Sequence, residues 1–247
     1  MTIEVSNLRA GYTKIPVLHD ISFRVNPGEI CGLIGLNGAG KSTTIKVITG
    51  LLTPMSGKVT LDGKQISDNP KAYRQSVGVI PESPTLYEEL TLREHLEVTA
   101  IAYGQNNKET MDRGLELVDK FRLSNQLDWF PAYFSKGMKQ KVLIVCALML
   151  DLPLYVVDEP FLGLDPLGIR TLLNCLEEKK ATGAAILMST HVLDTAERFC
   201  DSFVVLHEGK VKAEGSLDEL RLEYANGDSL TLEEIYFQLT SEDEASE

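Results

Sequence analysis

Gly35-Leu36-Asn37-Gly38-Ala39-Gly40-Lys41-Ser42-Thr43 is the stretch on which the reading of this chain turns. Its first eight residues fit G-x-x-x-x-G-K-[ST], in which each fixed position has its own task on a nucleotide polyphosphate. The glycines let backbone N–H groups turn inward around phosphate oxygens, at a helix start whose polarity favours negative charge. Lys41 adds a movable point charge, and Ser42 offers a hydroxyl to magnesium. An apolar run, Ile30 to Ile34, precedes the loop and a helix-like stretch, Thr43 to Thr49, follows it, which is the context the motif needs. Residues 35–43 are therefore expected to bind ATP or GTP with Mg2+.

Working outward, Ile3, Val5 and Leu8 and then Val17 to Val25 read as short strands separated by a turn at Gly11-Tyr12. From Pro84 to Leu150 the spacing becomes helical: Leu92, Leu96 and Ile101, then Leu115, Val118 and Phe121, with Gly104-Gln105-Asn106-Asn107 as the break. Strand-like runs return at Leu154 to Val157, Ala185 to Met188 and Phe203 to Leu206, alternating with helix-like Leu167 to Lys180 and Val192 to Arg198. That alternation predicts a parallel sheet covered by helices, with ligands at the carboxyl ends of its strands. The expected architecture is an α/β P-loop fold in a single domain, 1–247. Residues 1–83 and 151–220 form the core with an antiparallel N-terminal β part, 84–150 an inserted helical subdomain, and 221–247 a C-terminal helix and acidic tail. Leu230 to Leu239 reads as a short amphipathic helix, either packed on the core or binding a partner.

Composition narrows the function. The chain has 247 residues, 43% of them apolar, enough for a substantial core. A formal charge of −12 opposes binding to a phosphate backbone, so nucleic acid is not expected as a partner. Glu242, Asp243, Glu244 and Glu247 are expected to form a solvated, frayed end. Cys31, Cys146, Cys175 and Cys200 form no C-x-x-C pair and read as reduced packing residues of a cytosolic protein. The longest apolar run, Val142 to Leu150, is far shorter than the roughly 20 residues that span a bilayer. The chain is expected neither to be exported nor to cross a membrane by itself.

Three further segments carry chemistry. Leu154-Tyr155-Val156-Val157-Asp158-Glu159 is an apolar strand ending in two acids: Asp158 suits the Mg2+ shell opposite Ser42, and Glu159 suits orienting or deprotonating an attacking water. Ser189-Thr190-His191 ends another strand, where a histidine can hydrogen-bond a γ-phosphate. Phe134-Ser135-Lys136-Gly137-Met138-Lys139-Gln140 opens a long helix that Ser135 caps, leaving N–H groups free for a second anion. Because one loop already holds the phosphates, this second terminus best fits the γ-phosphate of a nucleotide on another subunit.

Taken in order, these segments resemble the ATP-binding subunits of ABC transporters from Ile3 to about Gly215. The resemblance implies that Gly35 to Ser42 is Walker A, Leu154 to Asp158 Walker B with catalytic Glu159, and Ser135 to Met138 the signature. It further implies that Gly163-Leu164-Asp165 is the D-loop, His191 the switch histidine and Tyr12 the aromatic that stacks on adenine. Two positions depart from the family pattern. Ser135-Lys136-Gly137-Met138 replaces the commoner Ser-Gly-Gly-Gln, with Lys136 either adding charge near a triphosphate or pointing to solvent. Glu82, in Val77-Gly78-Val79-Ile80-Pro81-Glu82, stands where the family usually has the Q-loop glutamine; a carboxylate there can still approach the metal.

Within the family, Tyr87-Glu88-Glu89-Leu90-Thr91, Trp129-Phe130-Pro131 and Glu159-Pro160-Phe161-Leu162-Gly163-Leu164-Asp165-Pro166 look most like the EcsA-type subunits of Gram-positive bacteria. The resemblance implies ATP hydrolysis coupled to export of short hydrophobic peptides through a polytopic membrane partner of the EcsB kind. It places the chain in the cytoplasm, peripheral on the inner face of the cell membrane, as a head-to-tail homodimer with two ATP sites. An importer ATPase, or a soluble ATPase of the same fold acting on a non-membrane partner, remains the alternative.

Overall fold

The computed structural model describes residues 1–224 and 230–244, without the side chains of 242–244. The acidic side chains of 242–247 therefore lie outside the described residues, while the backbone of Glu242, Asp243 and Glu244 continues α9. The chain starts with a long hairpin, β1 (Ile3–Tyr12) and β2 (Ile15–Val25), followed by β3 (Ile30–Ile34) and α1 (Lys41–Ile48). Next come β4 (Ser56–Leu61), β5 (Lys64–Gln65), α2 (Pro70–Arg74) and β6 (Val77–Ile80). Three helices follow: α3 (Leu92–Ala102), α4 (Lys108–Lys120) and α5 (Lys136–Leu148). The last part runs β7 (Leu154–Asp158), α6 (Pro166–Ala181), β8 (Ala185–Thr190), α7 (Leu193–Phe199), β9 (Ser202–His207), β10 (Lys210–Gly215), α8 (Leu217–Tyr224) and α9 (Leu232–Glu244).

Two sheets result. One is antiparallel, in the order β2-β1-β4-β5; the other runs β10-β9-β3-β8-β7-β6 and is parallel except for β9 with β10. This is the expected α/β P-loop architecture, a mostly parallel core sheet beside an antiparallel one. The parallel strands are apolar throughout because both faces are covered: every residue of β3 and β8 is buried. Side chains alternate across β7. Leu154 and Val156 face the cluster that includes Leu8, Ile21 and Ile48, while Tyr155 and Val157 face the one formed with Leu96, Val142 and Leu172. Burial pushes the Cys31 and Cys146 thiols up to about 12, so neither is a thiolate and both pack as small apolar groups. No helix among the described residues is long and apolar enough to cross a membrane.

Three local expectations need correction. Gly11 and Tyr12 are not a turn: they pair with Pro16 and Ile15 within the hairpin, and the reversal falls at Thr13-Lys14, with Thr13 at φ 59°. Gly11 is needed for close approach, since a Cβ there would overlap the Ile15 carbonyl oxygen. On α3 the buried stripe continues from Leu96 to Ala100, leaving Ile101 60% exposed. On α4 Leu117 and Val118 face inward while Leu115 is exposed, a shift of the apolar face that other large residues on the same helix concealed.

Candidate functional site

Parallel pairing brings three strand ends together. Ile34 of β3 stands beside Thr190 of β8, and Asp158 of β7 beside Ser189 of β8, so the segments after them meet in one cleft. Tyr12, Leu36, Asn37, Gly38, Gly40, Lys41, Ser42, Thr43, Glu82, Glu159 and His191 line it. Gly35, Ala39 and Asp158 stand behind that lining; Ala39 N–H donates to the Leu36 carbonyl (3.1 Å), closing the turn. Gly40 sits at φ 110° immediately before α1, where a Cβ would come within 2.6 Å of the Leu18 side chain. Only glycine turns the chain into the helix there.

Buried charge is concentrated at this point. Lys41, 6% exposed, donates through Nζ to the carbonyls of Gly35 (2.7 Å) and Leu36 (3.3 Å), and lies 3.6 Å from Glu159 Oε1. Glu159 takes φ 44°, a left-handed conformation that costs a non-glycine residue about 1–2 kcal/mol. Its backbone N–H donates to Ser189 Oγ (3.1 Å), and Oε2 lies 2.8 Å from His191 Nδ1. Strain of this kind persists where the surroundings over-determine a side chain's position. Ser189 Oγ in turn donates to Asp158 Oδ1 at 2.6 Å. Burial raises the Asp158 carboxyl above its ordinary range; its bond from Ser189 and the charge of Lys41 oppose the rise, while Glu82 and Glu159 add to it.

Tyr12 ends β1 with its ring about half exposed, and its hydroxyl accepts from Lys46 Nζ at 2.9 Å. No motif indicates Val17, which lines the cleft with Tyr12, and Ser189, which the sequence offers only as the strand end before His191, links both acids. A fully buried serine in an apolar strand, directly beside Asp158 in register, is the only signal for the second.

The donor set fits a magnesium nucleotide. Ser42 presents a hydroxyl and lines the cleft with Glu82, and Asp158 is a carboxylate whose ionised form burial disfavours. A divalent cation would offset that cost. Among the described residues no three-member cluster of His, Cys, Asp and Glu closes a cage.

Ser135, Gly137 and Asp165 do not line this cleft and form a second group. Ser135 Oγ accepts from Met138 N–H (3.2 Å) as the cap of α5, Gly137 abuts the Gly163 carbonyl, and Lys136 is exposed. Asp165 caps α6 through Gly168 N–H (3.1 Å) and pairs with Lys141 at 3.0 Å, which lowers its carboxyl below the ordinary range.

A phosphate loop on one parallel strand, paired acids on a second and a histidine on the strand between them define a P-loop nucleotide-hydrolysing protein. Residues 18–162 match the model of the family described as ABC transporter, and the chain belongs to that family. It is 54% identical over 246 residues to the ABC-type transporter ATP-binding protein EcsA of Bacillus subtilis (strain 168), covering 99% of each chain. The Nod factor export ATP-binding protein I of Sinorhizobium fredii (strain NBRC 101917 / NGR234) is 35% identical, over 87% of this chain and 63% of that one. Among solved structures, an ATP-binding subunit of an ABC transporter superposes with a TM-score of 0.93 at 54% identity, covering 97% of this chain and 100% of the other. The chain is an ATP-binding subunit of an ABC transporter, and an ATPase.

Proposed function

We propose that the chain energises export of short hydrophobic peptides through a separate polytopic membrane subunit of the EcsB kind, as a head-to-tail homodimer. In this reading it works in the cytoplasm, on the inner face of the cell membrane. The observation that supports it is the separation of two half-sites in one chain. The cleft of Lys41 and Glu159 holds phosphates, while the capped start of α5, with Ser135 and Gly137, and the nearby Asp165 point to a nucleotide on another copy. The direction of transport is drawn from the export named for the rhizobial relative.

Ser42 and Asp158, together with Glu82, would hold Mg2+, which when bound would supply charge neutralisation for phosphoryl transfer. Lys41 adds its own charge to the phosphate oxygens. Glu159 orients the attacking water and accepts its proton, and His191 keeps that carboxylate in place through Nδ1. Tyr12 stacks on adenine. ATP that touches both copies only when they are closed has differential affinity for the closed pair, and hydrolysis removes it. Gln140 Nε2 donates to Pro81 O (3.0 Å) and Lys139 pairs with Glu88 (3.0 Å), so motion of α5 reaches the segment 82–91. In this mechanism 84–150 moves as a unit against 1–83 and 151–220, with α8 and α9 beside the core.

The test is affinity purification of the tagged Glu159→Gln chain from mild-detergent membranes with ATP. A stoichiometric polytopic membrane protein supports the proposal, and its kind separates export from import. Recovery with soluble or nucleic-acid-bound partners alone overturns the transport function and leaves the ATPase standing.

A further inference from the structure

The phosphate loop has a second anchor, from the other end of the chain. Leu36 N–H donates to the hydroxyl of Tyr236 on α9 at 3.0 Å, across 200 positions of sequence. Tyr236 is 1% exposed, seated with Ile34 of β3, Ala196 of α7, Phe203 and Val205 of β9, and Leu220 of α8. The residue it holds is central to the loop. The Leu36 carbonyl accepts from both Ala39 N–H (3.1 Å) and Lys41 Nζ (3.3 Å), so the peptide units flanking Leu36 are tied to α9 on one side and to the phosphate-binding lysine on the other.

The same helix is tied to the segment that carries the switch histidine. Leu232 N–H, at the start of α9, donates to Glu197 Oε2 of α7 at 2.7 Å, and Glu197 Oε1 pairs with Arg221 of α8 at 3.4 Å. Helix α7 begins two residues after His191. The C-terminal helices thus hold both flanks of the cleft from behind without entering it.

We infer that Tyr236 is a positioning residue for ATP: by accepting from Leu36 N–H it holds the phosphate loop, and Lys41 with it, in the conformation that receives the nucleotide. The inference rests on the reading of the cleft as the ATP site. A loop without this acceptor leaves a half-buried N–H to find another partner and spends part of its time in other conformations. Apparent affinity then falls by the competent fraction, while chemistry in the bound state is unchanged.

The experiment is Tyr236→Phe in the full chain, which removes one oxygen and keeps the ring that fills the α7–α9 core. Steady-state ATPase assays should give a KM for ATP raised about three- to tenfold, in the range one net hydrogen bond is worth, with kcat within about twofold. Hydrogen exchange should show faster exchange in the peptide that contains Leu36. A KM within twofold of wild type, or unchanged exchange at Leu36, overturns the inference; so does a fall in kcat at constant KM, the sign of a smaller folded fraction. Substitution of Tyr236 by Leu, which loses both hydroxyl and ring, should raise KM at least as much among molecules that remain folded. If the wild-type chain itself fails to bind ATP, the nucleotide reading falls and this inference with it, an outcome distinct from normal binding by both chains.

Discussion

Glu159→Gln separates catalysis from binding because the site lets one atom change while the geometry stays. The carboxylate is buried, with Oε2 2.8 Å from His191 Nδ1 and Oε1 3.6 Å from Lys41 Nζ. A glutamine carbonyl oxygen takes the position facing His191 and accepts the same hydrogen bond. Lys41 loses a charged neighbour but keeps the Gly35 and Leu36 carbonyls, so the fold and the phosphate loop remain. What is lost is the capacity to take a proton from water. General bases contribute about 10²–10⁴ in rate, equivalent to roughly 2.7–5.4 kcal/mol of barrier. Phosphate release at saturating ATP should fall by that factor, with ATP affinity equal or higher because Lys41 no longer shares its charge with Glu159. Size-exclusion chromatography with ATP should show an accumulated dimer. Turnover within tenfold of wild type would refute the assignment of Glu159 as the base.

Two further outcomes follow from the same cleft. Tyr12→Ala should weaken ATP binding about 5- to 150-fold, since stacking of an aromatic on a base is worth about 1–3 kcal/mol, and titration with a fluorescent ATP analogue measures it. Unaltered affinity would show that the half-exposed ring does not meet the adenine. Asp158 has a folded-state pKa raised above its unfolded value, chiefly by burial. The folded chain therefore holds this proton through a window, just above the ordinary carboxylate range, where the unfolded chain has lost it; stability falls as pH rises through that window. Asp158→Asn, whose Oδ1 can still accept from Ser189, should raise the nucleotide-free Tm at neutral pH, with the gain shrinking as pH drops into the carboxylate range. Scanning fluorimetry across pH checks this, and a lower Tm at pH 7 contradicts it.

Much of this protein is legible in the linear chain because its chemistry is local. A phosphate is bound by consecutive backbone N–H groups, so the nine residues from Gly35 to Thr43 carry their own geometry. Asp158 and Glu159 announce themselves as acids ending an apolar run. The parallel sheet is visible for a similar reason, since strands covered on both faces are apolar at every position. Where local signals serve two purposes the reading failed. Gly11 looked like a turn but permits close strand approach, and Ile101 and Leu115 are large apolar residues on helix faces that the packing turned outward.

Sequence alone therefore determined that a nucleotide polyphosphate is the ligand, the sheet type and the order of the motifs. Tertiary structure decided which motifs meet: Tyr12, Lys41, Glu82, Glu159 and His191 in one cleft, with Ser135, Gly137 and Asp165 outside it. It also decided that Ser189 bridges the two acids and that Tyr236 reaches Leu36. No pattern of neighbours encodes these contacts, because a hydrogen bond across 200 residues depends on where strand register and helix packing bring two segments, not on the residues beside either one.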